Sequence, residues 1–387
     1  MKKTLLAWLI LLLYSSQPLS YEISTFYPQT NRHFEPAYEF VNSVSDFREW
    51  SSLSMYRVLK RPSRNRLYRH IAYYTSHIPN IFLGIGSVVT IHEIGHAQAM
   101  NAIGGTDIYF GVNDKHNLSF YELLYYSMFS SSGFTSGIIP NSTYNNALVY
   151  GAGMNVEMEF MLRQHIKALK KGGYNPTSAY NIILPSLMHN SYASSNSLTS
   201  DYYRYVNVMN SQNVTVSRKN IQNQLFWTTF LSGRLFYSGN AGGNPGNPNK
   251  ITKIKSLPIT NKLEVYWPDF YTYMMPEGVT LLSEVYLNHT HIGLFSLGYE
   301  TETYANVPMK EYTLGWYPQN DRVDTYFRLS LSKRASPYLT SKVYYKLTQK
   351  MDMFMTYFIG DRRTNAHIRQ NLISDSSVGI GVRYEIN

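Results

Sequence analysis

His92, Glu93 and His96 stand in the run His92-Glu93-Ile94-Gly95-His96, and these residue types at this spacing define a chemistry. Positions four apart on a helix share a face, so both imidazoles can be directed at one metal ion. Glu93 follows the first histidine by one position, which sets its carboxylate beside a metal-activated water rather than on the metal. Zinc lowers the pKa of such a water to about 7, and a carboxylate can take the proton and pass it to a leaving amine. The expected chemistry is zinc-dependent hydrolysis of an amide, with His92 and His96 as ligands and Glu93 as the catalytic base. The run lies in a largely apolar stretch, Asn80 to Ile103. Three ionisable side chains there are unfavourable unless they share a metal or satisfy one another.

Two histidines leave a catalytic zinc short of a third protein ligand. The segment Tyr150 to Phe160 reads YGAGMNVEMEF, and its small residues would let a second helix approach the first closely. Glu157 is the expected third ligand. Glu159 lies two positions on, about 200° round a helix, so the two carboxylates should not share a metal. Glu159 instead stands four residues before Arg163, a pairing distance. Glu159, His165 and Asp107 remain alternatives to Glu157. Asn155 either lines the cleft or serves in helix capping or packing beside Gly153, and His189, His289 and His291 are histidines that could reach the site as donors.

The run IHEIGHAQAMNAIGG resembles the zinc helix of His-Glu-x-x-His metallopeptidases, both the glutamate-liganded group and the site-two intramembrane proteases. That resemblance covers about 30 residues and implies a zincin-like helical domain, with ligand roles for His92 and His96 and the base role for Glu93. Gly95 and the Gly104-Gly105 pair look particularly like site-two proteases. Their third ligand is an aspartate in a Leu-Asp-Gly context, which this sequence lacks. In the glutamate-liganded group an aspartate often follows the ligand by four residues; here that position is Met161.

The elements that must position these residues divide the chain in two. Helical stretches are expected at 80–103, 145–171, 179–210 and 219–236. The run from Tyr237 to Lys250, YSGNAGGNPGNPNK, cannot continue a helix or a strand and reads as a linker. Beyond it the period changes to two. Val323, Thr325, Phe327, Leu329 and Leu331 alternate with polar neighbours, and similar alternation at seven other places gives about eight strands. The expected fold class is α+β: residues 1–20 a signal peptide, 21–236 a helical metallopeptidase-like domain, 237–250 the linker, and 251–387 an antiparallel β domain. The last resembles outer-membrane β-barrels, although such barrels commonly end on an aromatic residue and this chain ends Glu385-Ile386-Asn387. A soluble sheet packed on the helices gives the same alternation.

Met1-Lys2-Lys3 followed by the apolar run Leu5 to Tyr14 has the order of a secretory signal, too short for a spanning helix. Export to the bacterial cell envelope, as periplasm or outer membrane, is therefore expected. No cysteine offers a disulfide or a lipid-attachment site. Charged residues are 16% of the chain, against roughly 25% in soluble domains, while 35 tyrosines suit a sheet at a wet boundary. The net charge is +10, part of it in Arg57, Lys60, Arg61, Arg64, Arg66 and Arg69, which could face anionic lipid. No nucleic-acid module is present. The expected partners are thus a peptide or protein substrate and a membrane. The competing expectations are a barrel or surface-interaction protein with a structural or vestigial metal site, and a zinc hydrolase of a non-peptide envelope substrate.

Overall fold

The structure is a computed structural model. It describes residues 21–28, 52, 54–56, 59, 66–130, 132–195, 197–242, 251–306, 309–318, 323–333, 337–348, 351–360 and 376–386. The expected signal peptide, most of the basic cluster before Arg69, and residues 243–250 of the expected linker lie outside the described residues. The chain is α+β, with its helices in the N-terminal half and a many-stranded antiparallel sheet in the C-terminal half.

Helix α1, Arg66–Ala102, carries the histidine motif near its C-terminal end. It starts well before the expected Asn80, in a segment with one exposed face, Leu67, Ile71, Tyr74 and Ile78, and one buried face, Ala72, Tyr73, Ser76 and His77. From Ser87 to His96 every residue is buried, so the motif lies in a core segment. Past α1 the chain forms a small sheet absent from the sequence-based expectation. Its strands β2 (Thr106–Val112), β3 (Lys115–Leu118) and β4 (Phe134–Ile138) run in the order β3-β2-β4, with helix α2, Phe120–Ser130, between the last two in sequence.

Helix α3, Thr143–Lys170, crosses α1. Ser142 caps its first turn by accepting from the Asn145 N–H, and Lys167 and Lys170 occupy its last turn, where positive charge suits the helix dipole. The crossing is close because Gly95 and Gly153 face it. A β-carbon at Gly95 would stand 2.9 Å from the Ala152 carbonyl oxygen and 3.1 Å from the Gly153 α-carbon. The expected close approach of these two helices is therefore met.

The stretch expected as one helix over 179–210 is two. Helix α4, Pro176–Ser194, opens with a capping box between Asn175 and Ser178 and a proline in its first turn; helix α5, Asp201–Ser211, opens on Ser200, whose hydroxyl accepts from the Tyr203 N–H. Ser, Asn and Thr between them offer side-chain acceptors that favour a new cap over a continuous helix. Helices α6 (Arg218–Leu231) and α7 (Gly233–Gly242) follow, α7 running into the segment expected as linker.

Strand β1, Tyr21–Pro28, joins the sheet at its far end by pairing with the last strand, β16 (Ser376–Ile386). The described strands follow as β15 (Met351–Ile359), β14 (Tyr338–Lys346), β13 (Val323–Ser332), β12 (Lys310–Tyr317), β11 (Gly293–Ala305) and β10 (Gly278–His289), then β8 (Leu263–Val265) and β7 (Leu257–Pro258). Each of the eight expected strand segments corresponds to one of these. Among the described residues no pairing closes the sheet into a barrel. Two short strands, β5 (Gly173–Tyr174) and β6 (Thr252–Lys253), tie the helical half to the start of the β half.

Strand β9, Asp269–Met275, was not visible as an alternating segment because Tyr271, Tyr273, Met274 and Met275 are all buried. It pairs with β10 on one side only, and α3 covers its other edge. The Asn155 side-chain amide donates to the Met274 carbonyl at 2.9 Å and accepts from the Met274 N–H at 2.8 Å. The Tyr205 hydroxyl, from α5, reaches the carbonyls of Met275 and Gly278 at 2.7 and 2.8 Å. A sheet edge that would otherwise present unpaired backbone groups is thereby satisfied by helix side chains. Asn155 thus takes neither expected role: its amide is turned away from the cleft and bound to the backbone of β9.

Candidate metal centre

Three elements converge on one point. From α1, the Nε2 atoms of His92 and His96 lie 3.0 Å apart. From the first turn of α5, the Asp201 Oδ2 stands 3.1 Å from His92 Nε2 and 3.2 Å from His96 Nε2. A tetrahedral zinc with bonds of about 2.0–2.1 Å separates its ligands by about 3.3 Å. The triangle is close to that size before any ion is placed.

The opposite nitrogens of both rings are anchored. His96 Nδ1 lies 2.7 Å from the Val149 carbonyl, which can only accept, so that nitrogen carries the proton and Nε2 turns its lone pair inward. His92 Nδ1 lies 2.5 Å from Glu157 Oε1, with the same consequence. Two lone pairs and a carboxylate oxygen at about 3 Å repel one another unless a cation, a proton or a metal, sits between them. Gly153 leaves room for one: a β-carbon there would stand 2.7 Å from the Nε2 of each histidine. The donor set, its spacing and this cradle all fit a zinc ion.

The electrostatics agree with the geometry. Burial opposes protonation of His92 and His96, but Asp201 in front of both rings outweighs it, helped behind His92 by Glu157, so both bind a proton more tightly than an ordinary histidine. Burial would raise the Asp201 carboxyl, yet the facing imidazoles hold it well below the usual carboxylate range. A pocket that attracts protons in this way also attracts a divalent cation.

Glu157, expected as the third ligand, does not reach this point. Its carboxylate sits behind His92 and bridges to His189, with Oε2 2.6 Å from His189 Nε2. Burial alone would raise its pKa, but His189 and His92 hold it down at about 2. The residue that completes the triad, Asp201, was absent from the sequence-based candidates. Tyr192, from α4, fixes it: the tyrosine hydroxyl donates to Asp201 Oδ2 at 3.0 Å and accepts from the Asp201 backbone N–H at 3.1 Å.

The alternative ligands lie elsewhere. Glu159 accepts from the Tyr273 hydroxyl at 3.1 Å, towards the sheet. His165 is fully buried against Tyr174 and Asp269, and Asp107 is exposed at a positive φ of 52° in the small sheet. His289 and His291 neighbour each other at a strand end, whereas His189 belongs to the site.

Glu93 is buried beside the triad, and burial raises its pKa. The Thr135 hydroxyl, at 2.8 Å from the Glu93 carbonyl and 2.9 Å from Oε2, ties it to β4. A cleft of about 400 Å³ opens onto His92, Glu93 and His189, with Val88, Val89 and Met188 in its apolar wall.

No protein-family model, curated protein or solved structure matches this chain.

Proposed function

We propose that this chain is a zinc-dependent hydrolase of the bacterial cell envelope that cleaves amide bonds of peptides. His92, His96 and Asp201 would hold the ion, and when bound it would polarise a substrate carbonyl and acidify a water. The chain's own residues then have separable tasks. Glu93 lies in the cleft wall with one carboxylate oxygen steadied by Thr135, and burial raises its pKa, which makes it a stronger base than an ordinary carboxylate. Glu157 and Val149 hold the two imidazoles in the tautomer that turns Nε2 inward. Tyr192 keeps Asp201 in place from two sides. The apolar wall of the cleft suits an aliphatic or aromatic side chain next to the scissile bond.

The observation that carries this reading is a three-donor cluster beside an open cleft. Structural zinc sites take four protein ligands and are closed, whereas catalytic sites take three and leave a position open. That difference favours catalysis over a purely structural or vestigial site. The test is hydrolysis of a casein or peptide library by the zinc-loaded full chain beside Glu93→Gln. The expected result is cleavage by the wild type and a loss of 100-fold or more in a variant that still binds zinc. Cleavage by Glu93→Gln at the wild-type rate contradicts the assignment. A zinc-loaded chain that spares all peptides but cleaves an envelope amide moves the reading to a non-peptide substrate.

A further inference from the structure

In the C-terminal sheet the buried face is mixed, with Leu282, Tyr286, Tyr317 and Phe354 beside charged residues, while the apolar alternating set points outward. The face turned inward carries Glu284, Glu300 and Glu311, each with no exposure, and Arg328, which pairs with Glu284 at 3.2 Å. The face turned outward is apolar and exposed, with Leu297 at 53% and Tyr312 at 54%. Sequence alternation is the same whether the apolar set points inward or outward; only the structure shows which set is buried.

The outward face is also layered. Cross-strand registers place Val285, Leu297, Leu314, Leu329, Leu339 and Ile359 side by side, one from each strand from β10 to β15. This aliphatic row runs across the strands. Two residues to one side of Leu297, Phe295 pairs with Trp316 and Trp316 with Phe327. Two residues to the other side, Tyr299 pairs with Tyr312, their rings 5.3 Å apart. None of these three rows contains a charged residue.

We propose that this outward face contacts lipid acyl chains, so that the C-terminal sheet is the membrane-inserted part of the protein and anchors the helical half. An aliphatic centre with Phe295, Trp316 and Phe327 on one side and the Tyr299–Tyr312 pair on the other is consistent with the layering of a bilayer, where hydrocarbon is flanked by interfaces that favour Tyr and Trp. Strand length matches as well. The ten residues of β13 extend about 33 Å at about 3.3 Å each, and a strand tilted by about 40° then crosses about 25 Å of hydrocarbon. A second copy of the chain fits less well, because protein interfaces carry polar rims with about one hydrogen bond per 100–200 Å². Trp316 already donates its indole N–H to the Ile292 carbonyl at 3.1 Å.

This inference is independent of the hydrolase reading and has its own readout. The full chain is incorporated into dioleoyl-phosphatidylcholine vesicles, with and without bromine on the acyl chains, and tryptophan emission is compared between wild type and Trp316→Phe. The expected result is co-flotation with the vesicles, quenching by brominated chains, and a smaller quenched fraction in Trp316→Phe. Because the chain has no cysteine, Leu314→Cys also takes a single nitroxide label, expected to meet oxygen more readily than a water-soluble nickel chelate. A folded monomer that stays soluble without detergent and ignores vesicles overturns the proposal. A soluble, lipid-free dimer with the Leu314→Cys labels in contact overturns it in favour of a second copy.

Discussion

Glu157 Oε1 lies 2.5 Å from His92 Nδ1, on the side of the ring away from Asp201, whose Oδ2 faces Nε2 at 3.1 Å; the proposed site therefore gives the glutamate an orienting role and Asp201 the ligand role. Substitutions should separate the two roles. Glu157→Gln keeps the shape and removes the charge, and zinc affinity is expected to fall about 10–100-fold with one-to-one stoichiometry retained. Asp201→Ala removes a donor and is expected to abolish stoichiometric binding. Competition titration with a chromogenic chelator measures both. Tighter binding by Asp201→Ala than by Glu157→Gln would reverse the assignment.

Gly153 provides a complementary test from the backbone side. In Gly153→Ala the new methyl carbon would stand 2.7 Å from both Nε2 atoms, in the space the proposed ion would take. Zinc binding is expected to be lost while far-ultraviolet circular dichroism stays unchanged, since alanine is the better helix former by about 1 kcal/mol. Full zinc occupancy in this variant would show that the ion, if any, lies elsewhere.

The histidine motif, the order of helices before sheet and the eight alternating strands were legible because each has a local signature: a spacing of four, a change of period along the chain, a period of two. Asp201 had none. It begins a helix after the serine-rich turn at Ser194 to Ser200, and only the folding of α4 back along α1 brings it to His92. Between Gly104 and Phe236 the sequence holds six acidic residues, Asp107, Asp114, Glu122, Glu157, Glu159 and Asp201, so Asp201 was within reach of elimination. The fully buried β9 escaped because burial on both faces erases alternation. The outward sense of the apolar set in these strands escaped for the reason given above, that alternation has no sign.

Asn155 stands in for a missing neighbour strand by pairing with both backbone groups of Met274. Asn155→Ala leaves a buried N–H and a buried carbonyl without partners, each costing about 1–3 kcal/mol, so a destabilisation of about 2–6 kcal/mol is expected. Denaturant unfolding measures it. A change below about 0.5 kcal/mol would show that the helical half does not depend on this junction.

His165 gives the protein a stability that depends on pH. Burial holds its pKa below the ordinary value, with Arg234 adding to the effect and Asp269 opposing it. The unfolded chain therefore binds a proton at this residue, near pH 6.5, before the folded chain does. The stabilisation is fully present above about pH 6.5 and is lost as the pH falls towards the lower folded value, with a slope of up to about 1.4 kcal/mol per pH unit. In His165→Gln, urea unfolding at pH 7.5 and 5.5 is expected to show a smaller loss on acidification than in wild type. An unchanged difference would place the acid sensitivity elsewhere.

The metal content of the purified full chain, by elemental analysis of wild type, His96→Ala and Asp201→Ala, tests the central claim most directly. The account predicts about one zinc per chain in the wild type and none in either variant. No zinc in a folded wild type never exposed to chelator and supplied with the metal, or an undiminished content in Asp201→Ala, would contradict it.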